Sequence, residues 1–494
     1  MIRPVAPFVG QLAEAAKLVG AEFEADSLIT FSGVTHRDSD VEAGDLFFAI
    51  PGARVHGAKF AAAARDRGAV AVVTDAAGAA LVNGISTLIV KDVRSAAALI
   101  SSSLYRYPTR DMQSIGITGT NGKTTVSTLL FQIFEAVGRD VGLIGTIETR
   151  IGRDSISSSR TTPEATELQA LAATMREQHM RHLVMEVSSH ALSLQRVKGS
   201  HFSIAAFTNL SQDHLDFHKD MESYFATKAS FFTAEYCDQA FINIDSEYGS
   251  RLVEIATVPV TTLSRNQKSA TWHYSEIAET TTGFEFSLRG SGGILIESRT
   301  RLQGRYNLDN LLLAIAIASE CGIDPVELAH VIPNLFGAPG RLESVSLGQN
   351  FKAIVDYAHS PDAVINVLTA AREFTTGKII AVLGCGGDRD NSKRPLMGSA
   401  LFEGSDVAIF TSDNPRSELP SAILVEMSGH ISFAEPSRVI EERAEAIRYA
   451  TSIAEAGDTV LILGKGHENG QEIQGVVTPF DDRLELAKAI EASS

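Results

Sequence analysis

Short apolar runs, many of them β-branched, alternate with segments of helical periodicity through most of the chain. Strands that alternate with helices predict α/β layers with largely parallel sheets. In such sheets ligands bind beyond the carboxyl ends of the strands, and the polar residues of these segments fall there. The predicted strands with their polar ends are SIGITG (114–119), HLVMEVSS (182–189), IAAFTNLS (204–211), KIIAVLGCGG (378–387), DVAIFTSD (406–413) and DTVLILGKG (458–466).

Two breaks divide this pattern. Tyr107-Pro108-Thr109 precedes the first of these strands, and Gly337-Ala338-Pro339-Gly340 precedes the strand-like KAIVDYA. GFEFSLRG (283–290) and GILIESRT (293–300), joined by Ser-Gly, predict a hairpin between the two breaks. Because a chain of 494 residues is too long for one core, we predict three domains. Their ranges are 1–108, 109–338 and 339–494.

Charge and cysteine content narrow the class of protein. The chain has 43 basic and 60 acidic residues and a net charge of −17, which disfavours nucleic-acid binding. Cys237, Cys321 and Cys385 show no CxxC spacing, so we expect a reducing compartment and neither disulfides nor a zinc site. The N-terminus lacks a signal-peptide h-region, and the apolar stretch 311–318 is too short for a membrane span. We therefore expect a cytoplasmic protein without membrane insertion.

The segment ITGTNGKTT (117–125) follows a predicted strand and opens a predicted helix. Glycines let backbone N–H groups approach phosphate oxygens, Lys123 reaches the outer phosphates, and the Thr124 hydroxyl can bind Mg²⁺. A glycine-rich turn that only caps a helix is the structural alternative. The strand–loop–helix context favours a site for ATP or another nucleoside triphosphate.

Several polar residues after the next strands are candidates for a metal and phosphate site. Glu186 stands at a strand end, Asn209, His214 and Asp216 follow another strand, and Lys228 lies among aromatic residues on an amphipathic helix. Each alone also fits a structural role: a cap partner, a hydrogen-bonded histidine, a lysine that extends its stem over apolar surface. Together with the phosphate loop they predict one shared site.

The segment TSDNPRSELP (411–420) places three different polar groups around a turn. Asp413 offers a negative acceptor, Asn414 a neutral donor and acceptor, and Arg416 a planar cation, while Pro415 fixes the turn. This set suits a ligand that carries both ammonium and carboxylate groups. A plain surface turn is the alternative.

These motifs resemble the Mur ligase family of cell-wall amide synthetases over nearly the whole chain. The resemblance rests on GTNGKTT, EVSSH, QDHLDFH, YNLDN, GRLE, DYAHSP, GGDRD, DNPR and GKGHE, in this order. It implies an α/β fold with three domains: a smaller N-terminal α/β domain, a central phosphate-loop ATP-binding domain with a mostly parallel sheet, and a Rossmann-like C-terminal domain.

The resemblance also assigns roles to individual residues, with Lys123, Glu186, His214 and Lys228 as the catalytic set. One departure concerns the loop HRDSDVEAGDLF (36–47), where relatives often have Asp-Ser-Arg: Asp38 occupies the serine position and no arginine follows. The implied ATP contacts are Gly119, Thr120, Asn121, Gly122, Lys123, Thr124, Thr125, Asn307, Asn310, Arg341 and Asp356. The implied Mg²⁺ ligands are Thr124, Glu186, His214 and a carbamylated Lys228. The implied contacts to the UDP-muramoyl dipeptide are Asp38, Thr161, Thr162, Ser188 and Arg196. The implied amino-acid contacts are Arg389, Asp413, Asn414, Pro415, Arg416, Gly464 and Glu468.

The activity implied by the resemblance is ADP-forming amide synthesis. DNPR with GKGHE indicates the addition of meso-diaminopimelate to UDP-N-acetylmuramoyl-L-alanyl-D-glutamate through an acyl phosphate, in the peptidoglycan synthesis that supports cell shape and division. ATP and Mg²⁺ are the expected cofactors, and we expect a monomer. The alternatives are addition of L-lysine by the same chemistry, a folylpolyglutamate synthetase-like ligase, or an ATP-binding switch without ligase activity.

Overall fold

The computed structural model describes residues 1–21, 28–52, 55–158, 160–215, 217–280 and 283–493. The N-terminal part forms a four-stranded parallel sheet in the order β3-β4-β5-β6 and a small antiparallel pair, β1-β2. Its elements are β1 (Gly10–Gln11), α1 (Leu12–Val19), β2 (Thr30–Phe31), β3 (Gly33–Thr35), β4 (Asp45–Phe48), α2 (Ala61–Asp66), β5 (Ala71–Thr74), α3 (Ala76–Ala79), β6 (Ser86–Ile89) and α4 (Val93–Leu104).

The central part is built on an 11-stranded sheet in the order β10-β9-β8-β11-β7-β12-β13-β14-β15-β16-β17. The strands from β8 to β15 in this order run parallel, and antiparallel pairs extend both edges. The predicted hairpin at 283–300 is confirmed as β16 and β17. The elements are β7 (Gln113–Thr118), α5 (Lys123–Ala136), β8 (Val141–Ile144), β9 (Glu148–Ile151), β10 (Asp154–Ser157), α6 (Ala165–Glu177), β11 (His182–Glu186), α7 (Ser189–Ser193), β12 (Phe202–Phe207), α8 (Met221–Ala229), β13 (Cys237–Asn243), α9 (Glu247–Ile255), β14 (Val260–Ser264), β15 (Trp272–Thr280), β16 (Gly283–Arg289), β17 (Leu295–Thr300), α10 (Arg305–Glu320) and α11 (Pro325–Val331).

The C-terminal part has a six-stranded sheet in the order β18-β19-β23-β20-β21-β22, parallel except for β18, and a separate hairpin, β24-β25. Each of the three parts combines a mainly parallel sheet with helices, which confirms the predicted α/β fold class. The elements are β18 (Glu343–Ser344), β19 (Lys352–Asp356), α12 (Pro361–Phe374), β20 (Ile379–Leu383), α13 (Lys393–Gly404), β21 (Val407–Phe410), α14 (Pro420–Ser428), β22 (Arg438–Val439), α15 (Arg443–Ser452), β23 (Thr459–Leu463), β24 (Gly470–Ile473), β25 (Val476–Pro479) and α16 (Asp482–Ser493).

The apolar stretch 311–318 lies in α10, where it is buried against α5 in the core on one face of the central sheet. Its continuous apolar character therefore reflects a helix enclosed by protein. Within the described ranges no helix is both long and apolar enough to cross a bilayer. On the other face, α6 packs against α4 and joins the first sheet to the central one.

Candidate functional site

The phosphate loop connects β7 to the first turn of α5. Gly119 and Gly122 have φ angles of 148° and 86°, which disfavour residues with a side chain. A Cβ atom on Gly119 would also lie 1.9 Å from the Thr208 hydroxyl. Lys123 Nζ donates to the carbonyl oxygens of Gly119 and Thr120 at 3.0 and 2.8 Å, so the cation is folded back over the loop. The backbone N–H groups at the start of α5 add partial positive charge for a phosphate.

Glu186 ends β11 beside this loop. Its Oε2 atom accepts a hydrogen bond from the Thr124 hydroxyl at 3.0 Å, and its Oε1 accepts from the backbone N–H of Thr146 at 2.8 Å. The Thr146 hydroxyl lies 2.9 Å from Glu186 Oε2 and 3.1 Å from the hydroxyl of Thr161. Glu186 and Thr146 together therefore connect the phosphate loop to Thr161, a residue of the predicted UDP-substrate set.

The segment after β12 brings a carboxylate and an imidazole to the same loop. Asn209 accepts the backbone N–H of Asn121 at 3.0 Å. His214 has a φ angle of 56°, and its Nε2 lies 3.5 Å from Asp213 Oδ2. Burial lowers the pKa of His214 to about 3, so its imidazole is neutral near pH 7 and available as a metal ligand. Asp216 lies outside the described residues.

Lys228 on α8 is buried directly under the phosphate loop, with 1% of its surface exposed. Its Nζ donates to the carbonyl oxygen of Gly119 at 2.8 Å and lies 4.8 Å from the centre of the Tyr224 ring. Burial, with the nearby Lys123 cation, lowers the pKa of Lys228 well below that of an ordinary lysine. No carboxylate of the described chain pairs with Lys228, so the geometry favours a neutral amine.

The oxygen atoms around the loop fit a magnesium ion. In the described part of the chain no three His, Cys, Asp or Glu side chains form a metal-binding group. Mg²⁺ usually takes only one or two carboxylates and completes its shell with phosphate oxygens and water. The adjacent oxygens of Thr124 and Glu186 supply such a partial shell.

A cavity of about 370 Å³ lies between the central and C-terminal parts and reaches the phosphate loop. Asn310 lines it, and its Nδ2 donates to Asn307 Oδ1 at 3.0 Å, so Asn307 supports Asn310 from behind. Arg341 reaches over from the C-terminal part and lies 4.8 Å from the Tyr357 ring centre. Asp356 also lines the cavity and accepts the N–H groups of Leu342 and Ala358 at 2.7 and 2.8 Å. The cavity suits a nucleoside beside the phosphate loop. Three residues of the predicted phosphate loop also line this cavity: Asn121, Gly122 and Thr125.

A second cavity, of about 320 Å³, brings the predicted amino-acid residues to the phosphate loop. The loops after β20, β21 and β23 form one wall, and the loop before α5 forms the opposite wall. Since the carboxyl ends of parallel strands meet at one sheet edge, residues distant in sequence gather here. The cavity-lining residues from the predicted sets are Thr120, Asn121, Gly122, Lys123, Thr124, Thr161, His214, Arg341, Arg389, Asp413, Asn414, Arg416, Gly464 and Glu468.

Arg416 is held in this wall by its backbone and its guanidinium. Its φ angle is 51°, its backbone N–H donates to Glu472 O at 3.0 Å, and its Nη1 donates to Gly387 O at 2.6 Å. Glu472 belongs to the hairpin β24-β25, which therefore supports the DNPR loop from outside. Pro415 is buried behind it and forms the turn.

The predicted contacts to the UDP-linked substrate fall into two places. Arg196 donates to the carbonyl oxygen of Thr162 at 3.1 Å and pairs with Glu164 at 2.8 Å, while Ser188 Oγ lies 3.4 Å from Thr162 Oγ1. Asp38 instead pairs with Arg67 in the N-terminal part at 3.1 Å and bonds to none of the other predicted contacts. The structure thus gathers the central-sheet members of the set and leaves Asp38 apart from them.

Comparisons with known proteins cover the same three parts of the chain. Residues 30–103 match the Mur ligase family, catalytic domain, residues 117–318 match the Mur ligase middle domain, and residues 340–466 match the Mur ligase, glutamate ligase domain. The chain is 48% identical over 496 residues to the "UDP-N-acetylmuramoyl-L-alanyl-D-glutamate--2,6-diaminopimelate ligase" of Streptomyces coelicolor, with 99% of this chain and 98% of the relative covered. The chain belongs to the Mur ligase family. The predicted resemblance is confirmed.

Solved structures agree with the Mur ligase assignment. A structure titled as the same kind of diaminopimelate ligase is 33% identical, has a TM-score of 0.69 and covers 98% of this chain and 99% of that chain. A MurF ligase from Thermotoga maritima in complex with ADP shares the fold at 16% identity, with a TM-score of 0.64 and coverage of 93% and 97%. The chain is accordingly an enzyme of the ADP-forming ligase type.

Several residues of this Mur ligase site had no predicted role, and three of them contact predicted residues directly. Thr146 follows the strand β8, Asp213 precedes His214, and Lys465 lies within GKGHE. Each follows the carboxyl end of a parallel strand, the position that marked the other candidates. Their side chains acquire a role only through tertiary contacts, which a sequence pattern does not contain.

Proposed function

We propose that this Mur ligase joins the D-glutamyl γ-carboxylate of UDP-N-acetylmuramoyl-L-alanyl-D-glutamate to an amine of meso-diaminopimelate, with conversion of ATP to ADP and phosphate. The observation that carries the proposal is a single cavity of about 320 Å³ that is lined by Arg416 and Glu468 of the C-terminal part and by Lys123 of the phosphate loop. A zwitterion-binding wall opposite a phosphate-binding loop suits a reaction between an activated carboxylate and an amino acid. The names of the relatives support the same substrates.

The reaction begins with activation of the carboxylate, because oxide is too poor a leaving group for direct attack by an amine. A γ-carboxylate oxygen attacks the γ-phosphorus of ATP, and ADP leaves with the electrons of the broken P–O bond. The amine nitrogen then attacks the acyl carbon, loses a proton, and expels phosphate. Lys123 and the N-terminus of α5 stabilise the negative charge on the phosphoryl group during transfer. A cavity enclosed by two domains limits hydrolysis of the acyl phosphate by water.

Mg²⁺ is the metal that we assign to Thr124 and Glu186, with His214 and a modified Lys228 contributing to a second ion. Bound there, Mg²⁺ would neutralise charge on the phosphate oxygens. Glu186 is oriented for this task by two bonds from Thr146. The neutral imidazole of His214 faces the same cavity.

Carbamylation of Lys228 is part of the proposal. The buried neutral amine would attack CO₂, form a carbamate and release a proton, which replaces an uncharged buried group by an anion. A plain ammonium beside magnesium would be repelled by it. The contact of Lys228 Nζ to the carbonyl oxygen of Gly119 supports a role in holding the loop.

The acceptor end of the UDP-linked substrate is assigned to Thr161, Thr162, Ser188 and Arg196. Arg196 is the cation of this group, and we propose that it holds an anionic group of the muramoyl dipeptide. Its present partner Glu164 keeps the guanidinium oriented when the substrate is absent. Asp38 remains a predicted contact to the uridine side.

The choice of diaminopimelate over lysine is assigned to the DNPR loop. The two amino acids share one end, but only diaminopimelate carries a second carboxylate at the far end. Arg416 offers a planar fork for that carboxylate, and Glu468 and Asp413 offer acceptors for the ammonium. We assign Arg389 to the carboxylate at the reacting end. With lysine bound, Arg416 would keep its 3.7 Å pair with Glu472 but gain no partner from the substrate, which disfavours the lysine-adding alternative.

The test is release of ADP by the purified protein with each combination of substrates. We expect release only when ATP, Mg²⁺, the UDP-muramoyl dipeptide and diaminopimelate are all present. ADP release that is independent of both co-substrates would instead support the ATP-binding switch. The three free cysteines and the nucleotide substrates favour a cytoplasmic location, where such a ligase would supply peptidoglycan precursors.

A further inference from the structure

Lys465 is a fully buried cation directly behind the amino-acid wall. Its side chain is 0% exposed, and its Nζ lies 3.0 Å from Asn414 Oδ1 and 3.1 Å from Glu468 Oε2. Lys465 does not line the cavity, whereas Asn414 and Glu468 do. Lys465 can therefore affect a ligand through the position of these two side chains and through its charge.

The first consequence concerns the orientation of the Asn414 amide. Its Oδ1 accepts from Lys465 Nζ and from the backbone N–H of Glu472, the latter at 3.0 Å. Both partners are donors only, so the amide oxygen must face them. The Asn414 Nδ2 group then faces Glu468, to which it donates at 2.7 Å. No described residue accepts from its second N–H, so that donor is left for a ligand. Asn414 thus presents a donor to the cavity, which suits a carboxylate and not an ammonium.

The second consequence concerns charge. At this end of the cavity Lys465 pairs with Glu468 at 3.1 Å, and Arg416 pairs with Glu472 at 3.7 Å. Lys465 therefore neutralises the charge of Glu468, the carboxylate that lines the cavity. Without Lys465 the site would carry one more uncompensated negative charge, which favours a lone ammonium such as the far end of lysine over a far end that also carries a carboxylate.

We infer that Lys465 is a positioning residue that makes the site selective for an amino acid with a zwitterionic far end. It does so by fixing the Asn414 amide and by balancing the charge of Glu468. This inference rests on the proposed function, since it concerns the amino acid that the same ligase takes.

The experiment compares kcat/KM for diaminopimelate and for lysine in Lys465→Met, with ATP and the UDP-muramoyl dipeptide saturating. We expect kcat/KM for diaminopimelate to fall about tenfold or more through KM, because a buried charge partner is lost. The value for lysine should stay the same or rise, and KM for ATP should change little. A general loss of structure would instead lower kcat/KM for both amino acids together and would raise KM for ATP.

Two further variants at this position separate charge from hydrogen bonding. Lys465→Arg keeps the charge and should recover part of the selectivity, whereas Lys465→Gln keeps a donor for Asn414 but leaves Glu468 unbalanced and should resemble Lys465→Met. Lys488→Met, at an exposed lysine of α16, is the matched control and should behave like the parent.

The outcomes also separate this inference from the proposed function. If the parent turns over diaminopimelate, and both Lys465→Met and Lys465→Gln keep the parent's ratio of kcat/KM for diaminopimelate to kcat/KM for lysine, the inference alone is overturned. Failure of the parent itself to turn over with diaminopimelate would overturn the proposed function and the inference with it.

Discussion

The Thr124 hydroxyl donates to Glu186 Oε2 at 3.0 Å, so the first turn of α5 and the end of β11 meet at one point. The carboxylate is thereby placed beside the loop that we propose binds the phosphates of a nucleotide. We predict that Glu186→Gln weakens activation by Mg²⁺ about tenfold or more, because it removes an anionic ligand of the ion and keeps the shape. ADP formation measured against Mg²⁺ concentration checks this.

Metal removal belongs to the same experiment. Chelation should abolish ADP formation by the parent, and added Mg²⁺ should restore it. An unchanged Mg²⁺ titration in folded Glu186→Gln would contradict the assignment of this carboxylate.

Lys228→Ala should lose most of the activity, because the anion proposed beneath the phosphate loop is removed. A short carboxylate such as acetate, small enough for the vacated space, should restore part of the rate without added bicarbonate. ¹³C NMR with labelled bicarbonate should show a carbamate signal in the parent that is absent from the variant. A fully active parent without that signal would rule out carbamylation and leave Lys228 as a contact to the loop.

Arg416→Ala should lower kcat/KM for diaminopimelate about 30-fold or more and change the affinity for ATP little, because a charge-assisted pair with the far carboxylate is lost. The kcat/KM for lysine should rise at most modestly, since the substitution creates no new partner for its ammonium. Arg416→Lys keeps the charge without the fork and should lie between. Arg389→Ala should lower kcat/KM for both amino acids. An Arg416→Ala protein that is as selective for diaminopimelate over lysine as the parent would contradict the role of the DNPR loop.

A buried ion pair ties the two substrate loops to the C-terminal helix. Arg443 pairs with Asp482 at 2.6 Å, with both side chains fully buried, and also donates to Leu463 O at 2.9 Å and to Ser412 O at 3.3 Å, next to the GKGHE and DNPR loops. Arg443→Met would leave the carboxylate buried and unpaired, which should cost about 3–5 kcal/mol of stability. Urea unfolding measures this loss.

The matched control is Arg448→Met, on the same helix but with an exposed side chain, and it should change stability little. The double variant Arg443→Met/Asp482→Leu should recover much of the loss, since no lone charge is then buried. An Arg443→Met protein as stable as the parent would contradict this account of the pair.

The sequence predicted the strand–loop–helix units and the candidate residues at their ends, because apolar periodicity and glycine positions are local signals. The family resemblance, and not the residues alone, assigned Lys123 to ATP and Arg416 to the amino-acid substrate. The sequence did not predict that Lys465 would turn toward Asn414 or that Thr146 would orient Glu186. Those contacts depend on how loops from different strands pack together. Asp38 is set apart by its ion pair with Arg67, a partner that no local pattern indicated.

The most direct test of the account is the mass of the product formed when the protein receives ATP, Mg²⁺, the UDP-muramoyl dipeptide and equal amounts of diaminopimelate and lysine. We expect a single product, heavier than the dipeptide by the mass of diaminopimelate less one water, and one ADP for each product molecule formed. A product that carries lysine instead, or ADP release without any amide product, would contradict it.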